Sequence, residues 1–244
     1  MNPDRRSRPL LEICVTSLDY ALAAQRAGAD RIELCSDLKT GGVTPGGRLM
    51  ETAREQLHIP IHVLIRPRPG DFVYSAREFR AIRQSIQTAQ RLKLDAIVVG
   101  ILDRNSRVDI VRTRELVELA HPLPVTFHRA FDRTDRSRDA LEAVIQTGAR
   151  RLLTSGGGPK ATGGLANLAR LVSEAGSRLI IMAGGGIAPA NIPRVLRSTQ
   201  VRELHGTLLT SALRKEQGPG QRRAQVERYY RRVLEAASML QQLR

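Results

Sequence analysis

The chain of 244 residues contains no tryptophan, four phenylalanines, four tyrosines and only two cysteines. Two cysteines cannot supply the disulfide framework of a small secreted protein, so we expect a reducing, cytoplasmic location. No run of about 20 apolar residues is present, so the sequence predicts no membrane-spanning helix. The first nine residues are polar and rich in arginine, unlike a secretory signal, and we expect residues 1–9 to form a disordered tail.

Lysine is also scarce: four lysines stand against 35 arginines, and the formal net charge is +15. A strong basic charge is one mark of nucleic-acid binding. Here the arginines are spread over every predicted helix, with no interleaved aromatic residues and no recognisable binding module. The composition therefore favours a solvated, arginine-rich surface, and we expect no specific nucleic-acid partner.

Residues 28–45 read as one complete structural unit. Gly28 suits the end of a helix, because glycine tolerates the left-handed conformation found there. Residues 30–35 then predict a strand, on which alternation places Arg31, Glu33 and Cys35 on one side. A polar, glycine-rich loop follows that can continue neither a strand nor a helix. A strand carrying an acid and a thiol just before such a loop resembles the active end of a parallel βα unit.

The same alternation of strand and helix recurs along the chain. Strands are predicted at residues 10–15, 30–35, 61–65, 96–99, 125–128, 151–154, 179–182 and 201–205. No glycine-rich dinucleotide fingerprint follows the first strand, which weighs against a doubly wound sheet. Residues 217–221 predict a loop, and residues 221–243 predict an amphipathic closing helix. The sequence thus predicts an α/β fold, a single (β/α)8 TIM barrel over residues 10–244.

Ionisable residues gather near the ends of the predicted strands, where barrel enzymes carry their active sites. They are Glu12, Cys14, Glu33, Cys35, His62, Arg66, His128, Arg129, Glu203 and His205. Unpaired buried charges are costly, so these groups either neutralise one another or line a polar site. For a polar site, Glu12, Glu33, His128 and His205 are the candidate general acids and bases, and we expect all four to converge at one end of the barrel.

Cys14 and Cys35 occupy equivalent places on adjacent predicted strands. Neighbouring strands lie about 4.8 Å apart, so the two thiols could face each other. Soft thiolate ligands select Cu(I). Spacing alone favours the structural alternative, in which both are small buried apolar residues.

Two glycine runs, residues 156–158 and 184–186, follow the sixth and seventh strands. Their backbone N–H groups could cradle an anion, as loops in this part of a barrel often do, although tight turns explain glycine runs equally well. Two arginines could hold the same anion and keep Glu12 and Glu33 ionised. The candidate anion-binding residues are Arg66, Arg129, Gly156, Gly157, Gly184 and Gly185.

Taken together, these segments resemble the CutC family, described as copper homeostasis proteins. The matching segments are residues 11–14, 28–35, 41–45 (Gly-Gly-Val-Thr-Pro), 65–75, 125–132 (Val-Thr-Phe-His-Arg-Ala-Phe-Asp), 153–157, 181–187 and 203–206. The resemblance implies a TIM barrel, a cytoplasmic location and a link to copper. Cys14 and Cys35 match the positions proposed as Cu(I) ligands in the family, for which the resemblance implies no established reaction.

Two functions therefore remain open. The first is a Cu(I)-binding protein of copper homeostasis, with Cys14 and Cys35 as the metal ligands. The alternative is a barrel enzyme acting on a small anionic molecule, such as a phosphorylated one. The expected partner is the copper ion or that anion, with no membrane, and the sequence leaves a homo-oligomer open.

Overall fold

The computed structural model describes residues 8–135, 138–209 and 219–242. Within them, eight parallel strands form a closed barrel in chain order, with the last strand paired to the first. The strands are β1 (Leu10–Val15), β2 (Arg31–Leu34), β3 (Ile61–Leu64), β4 (Ala96–Val99), β5 (Val125–Phe127), β6 (Arg151–Thr154), β7 (Ile180–Gly184) and β8 (Glu203–Gly206). The predicted α/β barrel is confirmed.

Eight α-helices surround the barrel in the part of the chain that the structure describes. They are α1 (Leu18–Arg26), α2 (Gly47–Gln56), α3 (Ala76–Arg91), α4 (Ile110–Ala120), α5 (Arg138–Gln146), α6 (Leu165–Ala175), α7 (Ile192–Thr199) and the closing helix α8 (Pro219–Gln242). Among these helices, none is long and apolar enough to cross a membrane.

Local sequence signals account for where several helices begin. The Ser17 side chain caps α1 by accepting the N–H of Tyr20. Ser75 and Glu78 form a reciprocal capping box at the start of α3, so two unpaired backbone N–H groups find acceptors. The predicted loop before the closing helix is too long by at least two residues, because α8 already begins at Pro219; the rest of that loop, residues 217–218, lies outside the described residues.

The closing helix α8 packs against α1. Tyr229 on α8 is fully buried, and its ring lies edge-on to that of Tyr20 at a centroid distance of 4.7 Å. Arg8 precedes β1 and pairs with Asp30 through contacts of 2.5 and 2.9 Å. Of the predicted disordered tail, residues 1–9, the structure describes only residues 8 and 9. Residues 1–7 lie outside the described residues.

Part of the interior of the barrel is ionic rather than aliphatic. Bulky branched residues usually fill this space. Here five charged or titratable side chains do so, all with less than a fifth of the side chain exposed: Glu12, Arg31, His62, Arg151 and Glu203. The apolar core lies mainly outside the barrel wall, beneath the helices, where residues such as Leu11, Ile13 and Ile32 are fully buried. This leaves the inside of the barrel available for polar chemistry.

Candidate functional site

A cavity of about 390 Å³ opens at the C-terminal ends of the strands, and we refer to it as the mouth cavity. Side chains capable of chemistry line it from the ends of five strands. They are Cys14, Glu33, Arg66, His128, Arg129 and His205, with Gly185 and Gly186 on the rim. The mouth cavity is therefore where the fold gathers most of the residues singled out in the sequence.

The two thiols face each other at the floor of the mouth cavity, and we call Cys14 and Cys35 the thiol pair. Their Sγ atoms lie 3.3 Å apart, and Cys14 Sγ also lies 3.3 Å from Glu33 Oε1. Cys14 lines the cavity, whereas Cys35 is completely buried, and both pack against Leu64 and Val98. The hydrogen bond with Cys35, burial and the nearby Glu33 charge raise the pKa of Cys14 well above 9.0. The free thiol is therefore protonated at neutral pH.

Glu33 lies beside the thiol pair with one carboxyl oxygen unpaired. Its Oε2 atom is buried and has no hydrogen-bond partner among the described residues. Burial is the largest cause that raises the pKa of Glu33 above 4.5. The expected pairing of Glu33 with Arg66 or Arg129 is not found among the described residues, because the guanidinium groups of both arginines bind other acceptors.

His205 and Glu12 form a buried hydrogen-bonded pair just below the cavity. His205 Nδ1 lies 2.7 Å from Glu12 Oε1, and Arg31 Nε donates to Glu12 Oε2 at 2.6 Å. His62 Nδ1 lies 2.9 Å from the same Oε2, but not in good hydrogen-bond geometry. Burial alone would raise the pKa of Glu12, yet the contacts with His205, His62 and Arg31 outweigh it and lower that pKa well below 4.5.

The acidic groups around His205 raise its pKa, whereas the pKa of Glu12 is lowered. Burial alone would lower the pKa of His205, but the Glu33 charge and the hydrogen bond with Glu12 raise it above 6.5. His205 itself lines the mouth cavity, whereas Glu12 is completely buried and does not. The predicted convergence therefore holds at the cavity surface for Glu33, His128 and His205, with Glu12 one level deeper.

His128 also lines the mouth cavity, in a buried position beside an aromatic ring. Its Nδ1 accepts the N–H of Ala130 at 3.1 Å, and its ring packs against Phe72 at a centroid distance of 4.9 Å. Burial, followed by the nearby charge of Arg66, lowers the pKa of His128 to about 3, so the ring is neutral at physiological pH. Its Nε2 atom is buried without a partner in the described residues.

The two candidate arginines have different structural roles. Arg66 is buried and donates to the carbonyl oxygens of Gly42 at 2.9 Å and Gly70 at 2.8 Å, so it fastens two loops. The Arg129 side chain is 41% exposed and binds Asp132 at 2.8 Å and Ser155 Oγ at 3.2 Å. Arg129 is thus the more available of the two for an anion.

The two glycine runs are also unequal. The N–H groups of Gly156 and Gly157 donate within the protein, to Thr154 Oγ1 at 2.9 Å and Asp132 Oδ1 at 3.3 Å. Neither glycine lines the mouth cavity, and neither does Gly184. Gly185 does line it and adopts φ = +94°, a conformation that favours glycine. Of the four predicted glycines, Gly185 is the one placed to meet a ligand.

Arg31 is a buried charged residue that was not among the site residues predicted from the sequence. It lies between Glu12 and Glu203 and pairs with both carboxylates. Strand alternation had already placed it on the same side as Glu33, and this signal was sufficient to predict its inward position. Arg31 supplies the positive charge that Arg66 and Arg129 were expected to give.

The chain is similar to proteins of one known family. A family model described as the CutC family matches residues 9–210. A CutC family protein of Chromobacterium violaceum is 43% identical over 234 residues, covering 94% of this chain and 95% of that protein. The human copper homeostasis protein cutC homolog is 41% identical over 196 residues, covering 80% of this chain and 72% of its own length.

Solved structures show the same fold. The crystal structure of the CutC protein from Streptococcus agalactiae superposes with a TM-score of 0.78 at 33% identity, covering 82% of this chain and 98% of that one. The YdjI aldolase of Escherichia coli superposes with a TM-score of 0.66 at 16% identity, covering 96% and 91%. The second likeness concerns the barrel fold alone.

Proposed function

The chain belongs to the CutC family, and on that premise we propose that it binds Cu(I) between Cys14 and Cys35 at the floor of the mouth cavity, as a cytoplasmic protein of copper homeostasis. The observation that supports this proposal is the 3.3 Å distance between the two Sγ atoms. Two thiols on adjacent strands offer a soft pair of ligands to one ion.

The surroundings of the thiol pair suit a soft monovalent cation. Leu64 and Val98 pack against both thiols, and Leu38 lies against the same cluster, so apolar side chains cover part of the pair. Cys14 faces the cavity, which gives an ion a route to the buried Cys35. Binding requires both thiols to lose their protons, so Cu(I) affinity should rise with pH.

We predict that Cys14→Ser and Cys35→Ser each weaken Cu(I) binding roughly 100-fold, or about 2.7 kcal/mol, because a hydroxyl replaces one of two soft ligands. Anaerobic competition against a colorimetric Cu(I) chelator measures this. Ser36→Ala, which changes a half-buried neighbour of Cys35, is the matched control and should bind Cu(I) as the parent does. Parent-like affinity in both cysteine variants would make the thiol pair purely structural.

A second candidate function is supported by a separate observation. Glu33 Oε2, Arg66 Nε and His128 Nε2 are buried without protein partners in the described residues, and all three side chains line the mouth cavity. Unpaired buried polar atoms are costly and are satisfied when a ligand binds. The alternative proposal is therefore an enzyme acting on a small anionic molecule, with Arg129 and Gly185 at the anionic end and Glu33 and His128 as acid and base.

The anion proposal predicts that phosphate or a small phosphorylated metabolite raises the melting temperature of the parent. Arg129→Gln should abolish the rise because it removes the exposed cation, whereas Arg83→Gln, a remote surface change, should preserve it. Arg66→Ala should lower the melting temperature even without ligand, because two loops lose their tie. The proposal fails if none of these anions shifts the parent.

A further inference from the structure

We infer that Cys14, Glu33 and His205 form a second metal site, for a borderline divalent cation of the Zn²⁺ class, on the cavity side of the thiol pair. One ligand atom from each residue lies within 4.8 Å of the other two. The three residues belong to the neighbouring strands β8, β1 and β2, and Cys14 is the direct ladder partner of Glu33. The site goes beyond the proposed Cu(I) function and shares only Cys14 with it.

The donor set fits such a cation. Thiolate, imidazole and carboxylate are the three ligand types that zinc takes from proteins, whereas a purely soft pair suits Cu(I). Ionised Cys14 and Glu33 together carry the two negative charges that balance a divalent ion. Atoms bound to one zinc ion lie roughly 3.3–3.8 Å apart, so small side-chain movements would bring the three ligands together.

The contact between His205 and a buried carboxylate is of the kind that metal-binding histidines make. Its Nδ1 is engaged by Glu12 Oε1 at 2.7 Å, which leaves Nε2 as the atom for a ligand. A histidine that ligates a metal almost always donates its other ring N–H to a carboxylate or carbonyl. Glu12 is in turn fixed by Arg31 at 2.6 Å, so the imidazole is oriented by buried neighbours.

The unpaired oxygen of Glu33 is an independent sign of a missing partner. Glu33 is 4% exposed, and its Oε2 has no hydrogen bond within the described residues. A buried carboxylate oxygen without a donor is costly, and a bound cation would satisfy it. All three residues line the mouth cavity, so a fourth coordination position would open into it, as in catalytic rather than structural zinc sites.

Anaerobic titration with Co²⁺ tests this site, because a cobalt ion bound to a thiolate absorbs in the near ultraviolet and Zn²⁺ displaces it. We expect one Co²⁺ per chain with a thiolate band in the parent. Glu33→Gln and His205→Gln should each weaken Co²⁺ binding at least tenfold while leaving Cu(I) affinity within threefold of the parent. Cys35→Ser should do the reverse, and Cys14→Ser should weaken both.

The pattern of losses separates the two metal sites. Co²⁺ binding that depends on Cys35 as strongly as on Glu33, or that shows no thiolate band, overturns the divalent site and leaves the Cu(I) proposal standing. If the parent binds Co²⁺ but not Cu(I), the Cu(I) proposal is overturned and the divalent site stands. Circular dichroism checks the fold of each variant. If His205→Gln does not fold, Glu33→Asp replaces it in the test. Because aspartate keeps a carboxylate, Glu33→Asp should retain more Co²⁺ binding than Glu33→Gln.

Discussion

Replacing Arg31 with methionine is expected to lower the free energy of unfolding by about 3–5 kcal/mol. Arg31 is buried between Glu12 and Glu203 and pairs with both, so its removal leaves two carboxylates inside the barrel with too little positive charge. Methionine keeps much of the side-chain volume, so the expected loss is electrostatic. Urea denaturation of the parent and the variant measures it.

Lowering the pH should reduce the difference in unfolding free energy between the parent and Arg31→Met. The folded-state pKa of Glu12 is lowered, so its stabilising contribution is present above about pH 4.5 and is lost as the pH falls through the folded value. Arg83→Met is the control, since the Arg83–Glu115 pair is nearly half exposed on both sides and should contribute less than about 1 kcal/mol. An Arg31→Met variant as stable as Arg83→Met would show that the ion network is not needed for stability.

Gly164→Ala should cost roughly 3 kcal/mol, near the upper end for overpacking a core. A Cβ atom at Gly164 would lie 2.0 Å from the Ser155 carbonyl oxygen and 2.9 Å from Gly156 Cα. Both neighbours are backbone atoms, so no side-chain rotation relieves the clash. The two backbone segments around Ser155 and Gly164, at either end of the loop between β6 and α6, would have to move apart.

The adjacent glycine supplies the control. A Cβ at Gly163 would meet nothing within 4 Å, so Gly163→Ala should change stability by less than about 0.5 kcal/mol. Thermal unfolding of the two variants compares one methyl group at neighbouring positions. We attribute the glycines at positions 156 and 164 to the close packing of these two residues on each other. Equal melting temperatures for the two variants would contradict this explanation.

The sequence predicted the barrel well because each βα unit repeats a pattern with two clear periods. Strands β1, β4 and β6 have the bounds that the pattern indicated. Strand ends were less certain: β8 begins at Glu203 rather than at residue 201, because an apolar pattern does not show where ladder pairing starts. The predicted approach of Cys14 and Cys35 is found, but their places are not equivalent: Cys14 pairs with Glu33, so Cys35 lies two residues further along its strand direction.

The partners of the charged groups could not be read in the same way. A long arginine side chain reaches several acceptors, so the sequence did not tell that Arg66 binds backbone carbonyls while Arg31 pairs with Glu12. Depth inside the barrel was equally hidden, since Glu12 and Cys14 share a face but only Cys14 reaches the cavity. The N–H groups of Gly156 and Gly157 serve internal acceptors, which no glycine pattern discloses.

X-ray absorption at the copper edge, on protein loaded anaerobically with one equivalent of Cu(I), tests the thiol pair most directly. Cys14 and Cys35 are the only cysteines in the chain, so each sulfur neighbour of the metal can be assigned to one of them or to a methionine. We predict two sulfur neighbours for copper in the parent and one fewer in Cys35→Ser. A copper ion surrounded by nitrogen and oxygen alone would contradict Cu(I) binding by the thiol pair.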